Sequence, residues 1–353
     1  MVDSTYSDRD FLTAMLQGVS RTFALTIPQL PDSLYPVVAD AYLLCRIADT
    51  IEDDPALDGA ATQAFGDQFI AVVEGRAPAA EFAHALTPRL SAVSLAAERR
   101  LVAETERVIR IKQRFNKPQQ RLLDDCVRTM SAGMSRYQQR ASLRGLDDMP
   151  DMDGYCYVVA GMVDKCLAGL FAAEIPELRA SRQRLRPLAV SFGQGLQMTN
   201  ILKDVWTDAE RGVCWLPRAV FRDHGASVDR LLSGAPSPAA AAAFATLIAI
   251  AQCHLERGLR YTLAIPAAQH GMRNFCLWAL IMAVLTLRKL HARQGGRQRE
   301  PVRISRWSVR ATMVFSRLFA GHDALLRWAF RRLGRGLPTL TEAQRRRYLG
   351  AAR

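Results

Sequence analysis

No Cys-x-x-Cys pair occurs in this chain, and its cysteine count is odd: residues 45, 126, 156, 166, 214, 253 and 276. That excludes a disulfide framework and a zinc site built on paired thiols. The thiols are expected to fill core space, in a reducing compartment. Phosphate-binding loops are missing too. There is no Gly-x-x-x-x-Gly-Lys-Ser/Thr, and no Gly-x-Gly-x-x-Gly follows a strand. Without Gly-x-Ser-x-Gly or His-Glu-x-x-His, serine-hydrolase and zincin chemistry is excluded. The six histidines, at 84, 224, 254, 270, 291 and 322, are scattered, which speaks against a histidine metal cluster. Long apolar runs are absent: the longest, about 275–287, falls short of the ~20 residues a bilayer crossing needs. The polar, acidic start M-V-D-S-T-Y-S-D-R-D does not read as a signal peptide. A cytoplasmic protein without a transmembrane helix is expected, and peripheral contact with the inner membrane stays open.

Acid is in short supply: 34 Asp and Glu stand against 47 Lys and Arg, a net charge of +13. The excess favours anionic partners, whether nucleic acid, an anionic membrane or a phosphorylated substrate. Composition alone does not choose among them. At 49% hydrophobic and 23% charged, the chain has the makeup of a folded protein with a sizeable core.

Helical periodicity dominates what is there. Residues 38–51, 92–111, 119–140, 155–173, 187–206, 238–262 and 272–291 read as amphipathic or buried helices. No alternating run backed by turn chemistry suggests a sheet. The segments L-D-D-M-P-D-M-D-G (146–154) and G-A-P-S-P (234–238) read as loops, and 294–301 as a break. No long linker divides the chain. One all-α domain over 1–353 is expected, with a motif-bearing core of about 10–290 and a basic portion of about 291–353.

Two helices carry matching polar stripes. Tyr42, Arg46, Asp49 and Asp53 follow one another at +4, +3 and +4, with Glu52 beside them. Like charges so placed repel by roughly 0.2–0.5 kcal/mol per pair, so taken alone the stripe reads either as a solvated charged face or as a cation site. Gln197, Asn200, Asp204 and Asp208 repeat the pattern at +3, +4 and +4, with Gly193 one turn earlier. Hard oxygen ligands on rigid helices suit Mg²⁺, which binds one or two carboxylates together with phosphate oxygens. If the stripes face each other, a diphosphate bridges them, and metal neutralises the charge it develops on leaving. The pairs Asp124/Asp125 and Asp147/Asp148 have no such stripe and read as surface or loop.

D-T-I-E-D (49–53) with N-I-L-K-D-V-W-T-D (200–208) resembles the squalene and phytoene synthase family. V-S-R-T-F-A (19–24), Y-C-Y-V-V-A-G (155–161) and R-G-V-C-W-L-P (211–217) are similar to three further motifs of that family, and the likeness covers roughly 10–290. The resemblance implies an all-α isoprenoid-synthase fold around a central cavity. It implies Mg²⁺, or Mn²⁺ in its place, on Asp49, Glu52, Asp53, Asp204 and Asp208. It places Gln197 and Asn200 beside the second motif. It assigns Ser20, Arg21 and Arg46 to diphosphate, Tyr42 and Phe23 to the cavity wall, and Tyr155 to the first half-reaction.

Within the family, S-R-T-F-A-L-T-I-P-Q-L-P (20–31) and D-T-I-E-D-D (49–54) are most similar to the branch that makes squalene from two farnesyl diphosphates with NADPH. Dehydrosqualene or phytoene synthesis, which needs no NADPH, is the alternative. V-R-I-S-R (302–306) partly resembles a basic element associated with NADPH: Arg303 and Arg306 keep the charge, and Ser305 replaces a basic residue. Asp164 and Lys203 depart from the family pattern, Asp164 standing where a small residue is usual. From Arg288 to Arg310 there are eight basic residues and one acid, Glu300, which suits an anionic membrane surface. A different class, a basic scaffold for nucleic acid or membrane, lacks any nucleic-acid-binding signature, so no nucleic-acid partner is expected. The sequence carries no signal for oligomeric state.

Overall fold

Helix signals recur along the chain at the points where helices begin. Ser7 accepts from the Asp10 amide at 3.2 Å and starts Asp8–Val19. Asp58 does the same for Gly59–Val73. Asn116 and Gln119 form a reciprocal capping box at the head of Lys117–Gln138. Ser237, followed by Pro238, opens Pro238–Ala264. The computed structural model describes residues 7–20, 22–92, 94–293 and 302–349. Among them the fold is all-α, with no strand.

The chain packs as two units. The first comprises Met1–Gln139 and Cys166–Arg179. At its centre the helix Tyr35–Asp53 buries thirteen residues, from Tyr35 to Ile51. It packs against Asp8–Val19, Gly59–Val73 and Lys117–Gln138. Phe65, Phe69 and Phe82 form an aromatic cluster beside them, with Phe69 and Phe82 stacked at 5.3 Å. Each ring so buried contributes about 1.5–3 kcal/mol. Asp124 is not the surface residue expected. The buried Lys112 ammonium lies 2.5 Å from it and donates to the Val73 carbonyl at 2.6 Å. A buried charge needs its counter-ion, and the sequence does not show which acid that is.

The second unit comprises Arg140–Lys165 and Ala180–Arg353. Its longest helix, Arg182–Glu210, packs along Pro238–Ala264. Gly258 permits the close approach: a Cβ there would lie 2.7 Å from the Phe192 ring. His270–Ala292 completes the core, and Arg306–Phe319 and Asp323–Gly334 pack on it. Arg273, 2% exposed, ties these parts together. It donates to the carbonyls of Leu263, Ile265 and Ala320 and pairs with Asp323 at 2.7 Å.

All seven expected helices are present, with three corrections. The 92–111 helix is two, Ala96–Ala103 and Thr105–Gln113, divided at Glu104. Arg182–Glu210 starts five residues early, so Pro187 lies inside it. Residues 149–154 are not loop: Met149–Cys156 is a helix whose N-cap, Asp148, accepts from the Asp151 amide at 3.0 Å. Pro150 falls in its first turn, where proline costs no hydrogen bond, and so it marks a start. The expected break at 294–301 lies outside the described residues. By length and composition alone, three helices could cross a bilayer: Met149–Glu174, Pro238–Ala264 and His270–Ala292. That corrects the expectation that none is long enough. Each buries half or more of its apolar window within the protein.

Candidate active site

In the first unit, the Tyr35–Asp53 helix presents its polar stripe as the spacing requires. The Arg46 guanidinium donates to the Tyr42 hydroxyl at 2.9 Å and lies 3.8 Å from Asp49. It lies equally close to Glu98, on Ala96–Ala103. Phe23 covers Tyr42, with ring centroids 4.9 Å apart. Ser20 ends one helix and accepts from the Phe23 amide at 3.0 Å, so its oxygen caps the next short helix. Five expected residues, Ser20, Phe23, Tyr42, Arg46 and Asp49, are thus linked through contacts. Arg21 lies outside the described residues.

Burial and neighbouring carboxylates both disfavour charge on this stripe. Burial pushes the Asp49 carboxyl up to about 7; Arg46 opposes this, and Asp53 and Glu98 add to it. Burial also pushes Glu52 well up, with help from Asp53 and Asp49. The Arg46 guanidinium thus lies near two carboxylates, Asp49 and Glu98. Asp49, Glu52 and Asp53 carry hard oxygen donors of the kind Mg²⁺ takes.

Asp54 stands apart. It is 4% exposed and ends the helix. Its carboxylate accepts from the amides of Ala56 and Ser91 and from the Ser94 hydroxyl, at 2.5–3.1 Å. It binds chain, not ligand.

In the second unit, Gln197, Asn200, Asp204 and Asp208 lie along Arg182–Glu210. Asn200 is exposed, and the other three are half-buried. Lys203 sits between two of them, donating to the Asn200 side chain at 3.4 Å and pairing with Asp204 at 3.1 Å. Its ammonium holds Asp204 while leaving the stripe rich in oxygen donors. One turn below Gln197, Gly193 meets the departure noted in the sequence. Asp164 fills the space over it, such that a Cβ on Gly193 would lie 2.5 Å from the Asp164 carboxylate and 2.7 Å from the Ala160 carbonyl. Burial pushes the Asp164 carboxyl up to about 8.

Tyr155 stacks on Trp215, with rings 4.1 Å apart and 12° from parallel. The motif helix and the R-G-V-C-W-L-P segment are therefore in contact. Immediately after Cys156 the helix widens into a π turn over Tyr157–Gly161, a feature common at functional sites. Behind it, the His254 ring bonds Ser191 at 2.8 Å and lies 3.8 Å from Asp153. Burial drives His254 down to about 3 and Asp153 up to about 7. Arg257 lowers both. Between about pH 3 and pH 7 this contact is between two uncharged groups, not an ion pair.

Arg303 and Arg306 are both exposed. Ser305 between them caps the Arg306–Phe319 helix by accepting from the Ser308 amide. Its departure from the basic pattern has this local cause. Exposed guanidiniums suit a cofactor's phosphates. Three features of the site were not in the sequence reading: Glu98, the Asp153–His254–Ser191 contact and the Asp54 cap partners. Each depends on side chains far apart in sequence, and no local pattern marks them.

Comparison with known proteins follows the same direction. A sequence model of a family described as squalene/phytoene synthase matches residues 16–308. The squalene synthase ERG9 of Gibberella zeae is 27% identical over 278 residues, covering 77% of this chain and 56% of that protein. A squalene synthase of Solanum lycopersicum is 29% identical, covering 78% and 63%. The chain thus spans about three fifths of the length of the curated relatives it matches. A solved complex of TcSQS superposes with a TM-score of 0.76 at 22% identity, covering 96% of this chain and 95% of that one. A dehydrosqualene synthase superposes with a TM-score of 0.66 at 19% identity, covering 88% and 96%.

Proposed function

The chain belongs to the squalene/phytoene synthase family of prenyltransferases, and from that premise we propose that it joins two farnesyl diphosphates head to head and reduces the product to squalene. The observation that carries this reading is the pair of polar stripes, Tyr42–Arg46–Asp49–Asp53 and Gln197–Asn200–Asp204–Asp208, each at helical spacing of three or four residues.

Asp49, Glu52 and Asp53, and separately Asp204 and Asp208, would hold Mg²⁺, which would supply positive charge against a departing diphosphate. Arg46 and Ser20 bind diphosphate oxygens, and Asn200 and Gln197 orient them. Departure leaves an allylic cation, which the double bond of the second chain attacks. Proton loss then closes a cyclopropane, giving presqualene diphosphate. Phe23 and Tyr42 wall off water and present ring faces that stabilise a cation without capturing it. Tyr155, fixed flat against Trp215, acts in this first half-reaction. Arg303 and Arg306 would hold the phosphates of NADPH, which would supply hydride in the second.

Incubation with farnesyl diphosphate and Mg²⁺, with and without NADPH, tests the reading. Squalene formed only with NADPH supports it. Dehydrosqualene as sole product despite NADPH replaces it with the non-reducing branch. A C40 product from geranylgeranyl diphosphate, with farnesyl diphosphate inert, sinks it. Asp204→Ala should abolish Mg²⁺-dependent turnover with the helical circular dichroism unchanged.

A further inference from the structure

The helix Arg306–Phe319 is amphipathic in the wrong sense for a protein surface. Its inward residues include Thr312 and Ser316, and Ser316 accepts the Trp278 indole N–H at 2.5 Å. Its outward residues are large and apolar: Trp307 is 79% exposed, Val314 58% and Leu318 65%. They recur at +7 and +4, one stripe along the helix, and Arg310 and Arg317 flank them. On Asp323–Gly334, Trp328 is 57% exposed. It lines a recess of about 460 Å³ with Arg331, Arg332 and Arg335.

Between residues 302 and 335 there are eight arginines and one acid, Asp323, which is already paired with Arg273. We propose that the outward face of Arg306–Phe319, with the Trp328 recess, docks on the surface of an anionic phospholipid bilayer. Trp307, Val314 and Leu318 enter the boundary between headgroups and acyl chains, and the arginines meet lipid phosphates. Charge and apolarity together select this partner. A nucleic acid would use the arginines but would leave the valine and leucine in water. A second copy of the same face would set its arginines, Arg310, Arg331, Arg332 and Arg335 among them, against their like.

Co-sedimentation of the full chain with phosphatidylcholine vesicles, with and without phosphatidylglycerol, tests the proposal. Binding should require phosphatidylglycerol and weaken as salt rises. Arg310→Glu and Arg331→Glu should each weaken it by at least about fivefold, the value of one basic group at such a surface. Trp307→Ser with Leu318→Ser should weaken it as well, with circular dichroism unchanged because both positions are exposed. Turnover in vesicle-free solution should not change in any of these variants. Equal sedimentation with both vesicle types, or with neither, overturns the proposal. So does parental binding by the variants, or tight binding to duplex DNA without binding to vesicles. None of these outcomes depends on which product the enzyme makes.

Discussion

Asp53 and Asp54 are neighbours in the chain, yet a 100° turn of the helix sends them to different work. Asp53 stays exposed beside Asp49 and Glu52, and Asp54 is buried among backbone amides. Asp54→Ala should destabilise by about 3 kcal/mol, because buried donors lose their acceptor, with Mg²⁺ affinity unchanged. Urea unfolding and metal titration would read the two effects separately. Gly193→Ala should cost about 1–3 kcal/mol by overpacking. Asp164→Ala should restore only part, since the Ala160 carbonyl also lies within 2.7 Å. Asp164 predicts a pH dependence of definite sign. Its folded-state affinity for a proton exceeds that of the unfolded chain. Its contribution to stability is therefore full below about 4 and is lost as pH rises to about 8. Asp164→Asn should flatten that part of the urea-midpoint profile. At this scale the sequence names ligand candidates through register and charge, which are local. It could not mark Glu98 or the Asp54 partners, which arrive from Ala96–Ala103 and from residues 91–94.

Helices with an apolar stripe facing one core were legible from periodicity, as Tyr35–Asp53 and Pro238–Ala264 show. Arg306–Phe319 was not, because Trp307, Val314 and Leu318 face outward while its fully buried residues, Thr312 and Ser316, are small and polar. Pro150 misled in the opposite direction: proline ends a helix or begins one, and only Asp148 as N-cap decides between them. Arg273 shows how elements are joined after they form. Its hydrogen bonds gather carbonyls at the end of Pro238–Ala264 and at Ala320. Arg273→Leu should destabilise by about 3 kcal/mol or more, since several charge-assisted bonds are lost and the carbonyls remain buried. Thermal unfolding followed by circular dichroism would measure it.

Over the whole molecule, the charge of +13 acts at a distance that no single contact does. A charge of this sign attracts anions, the proposed diphosphate substrates among them. Raising ionic strength should increase KM for farnesyl diphosphate with little change in kcat, because screening weakens encounter and leaves bound contacts alone. Steady-state kinetics at two salt concentrations would show it. Composition alone shows the positive excess and leaves the class of anion open. A diphosphate is proposed from the two stripes and the family match.

The seven buried cysteines have a use beyond filling space. Burial raises the thiols of Cys156 and Cys276, and of Cys214 to about 11, so they stay protonated and shielded from alkylation. Cys45, Cys126, Cys156, Cys253 and Cys276 each lie on a different helix. Each can be modified only when its own helix opens. The order in which a maleimide labels them is therefore a native clock of local opening, set helix by helix, with no engineered probe.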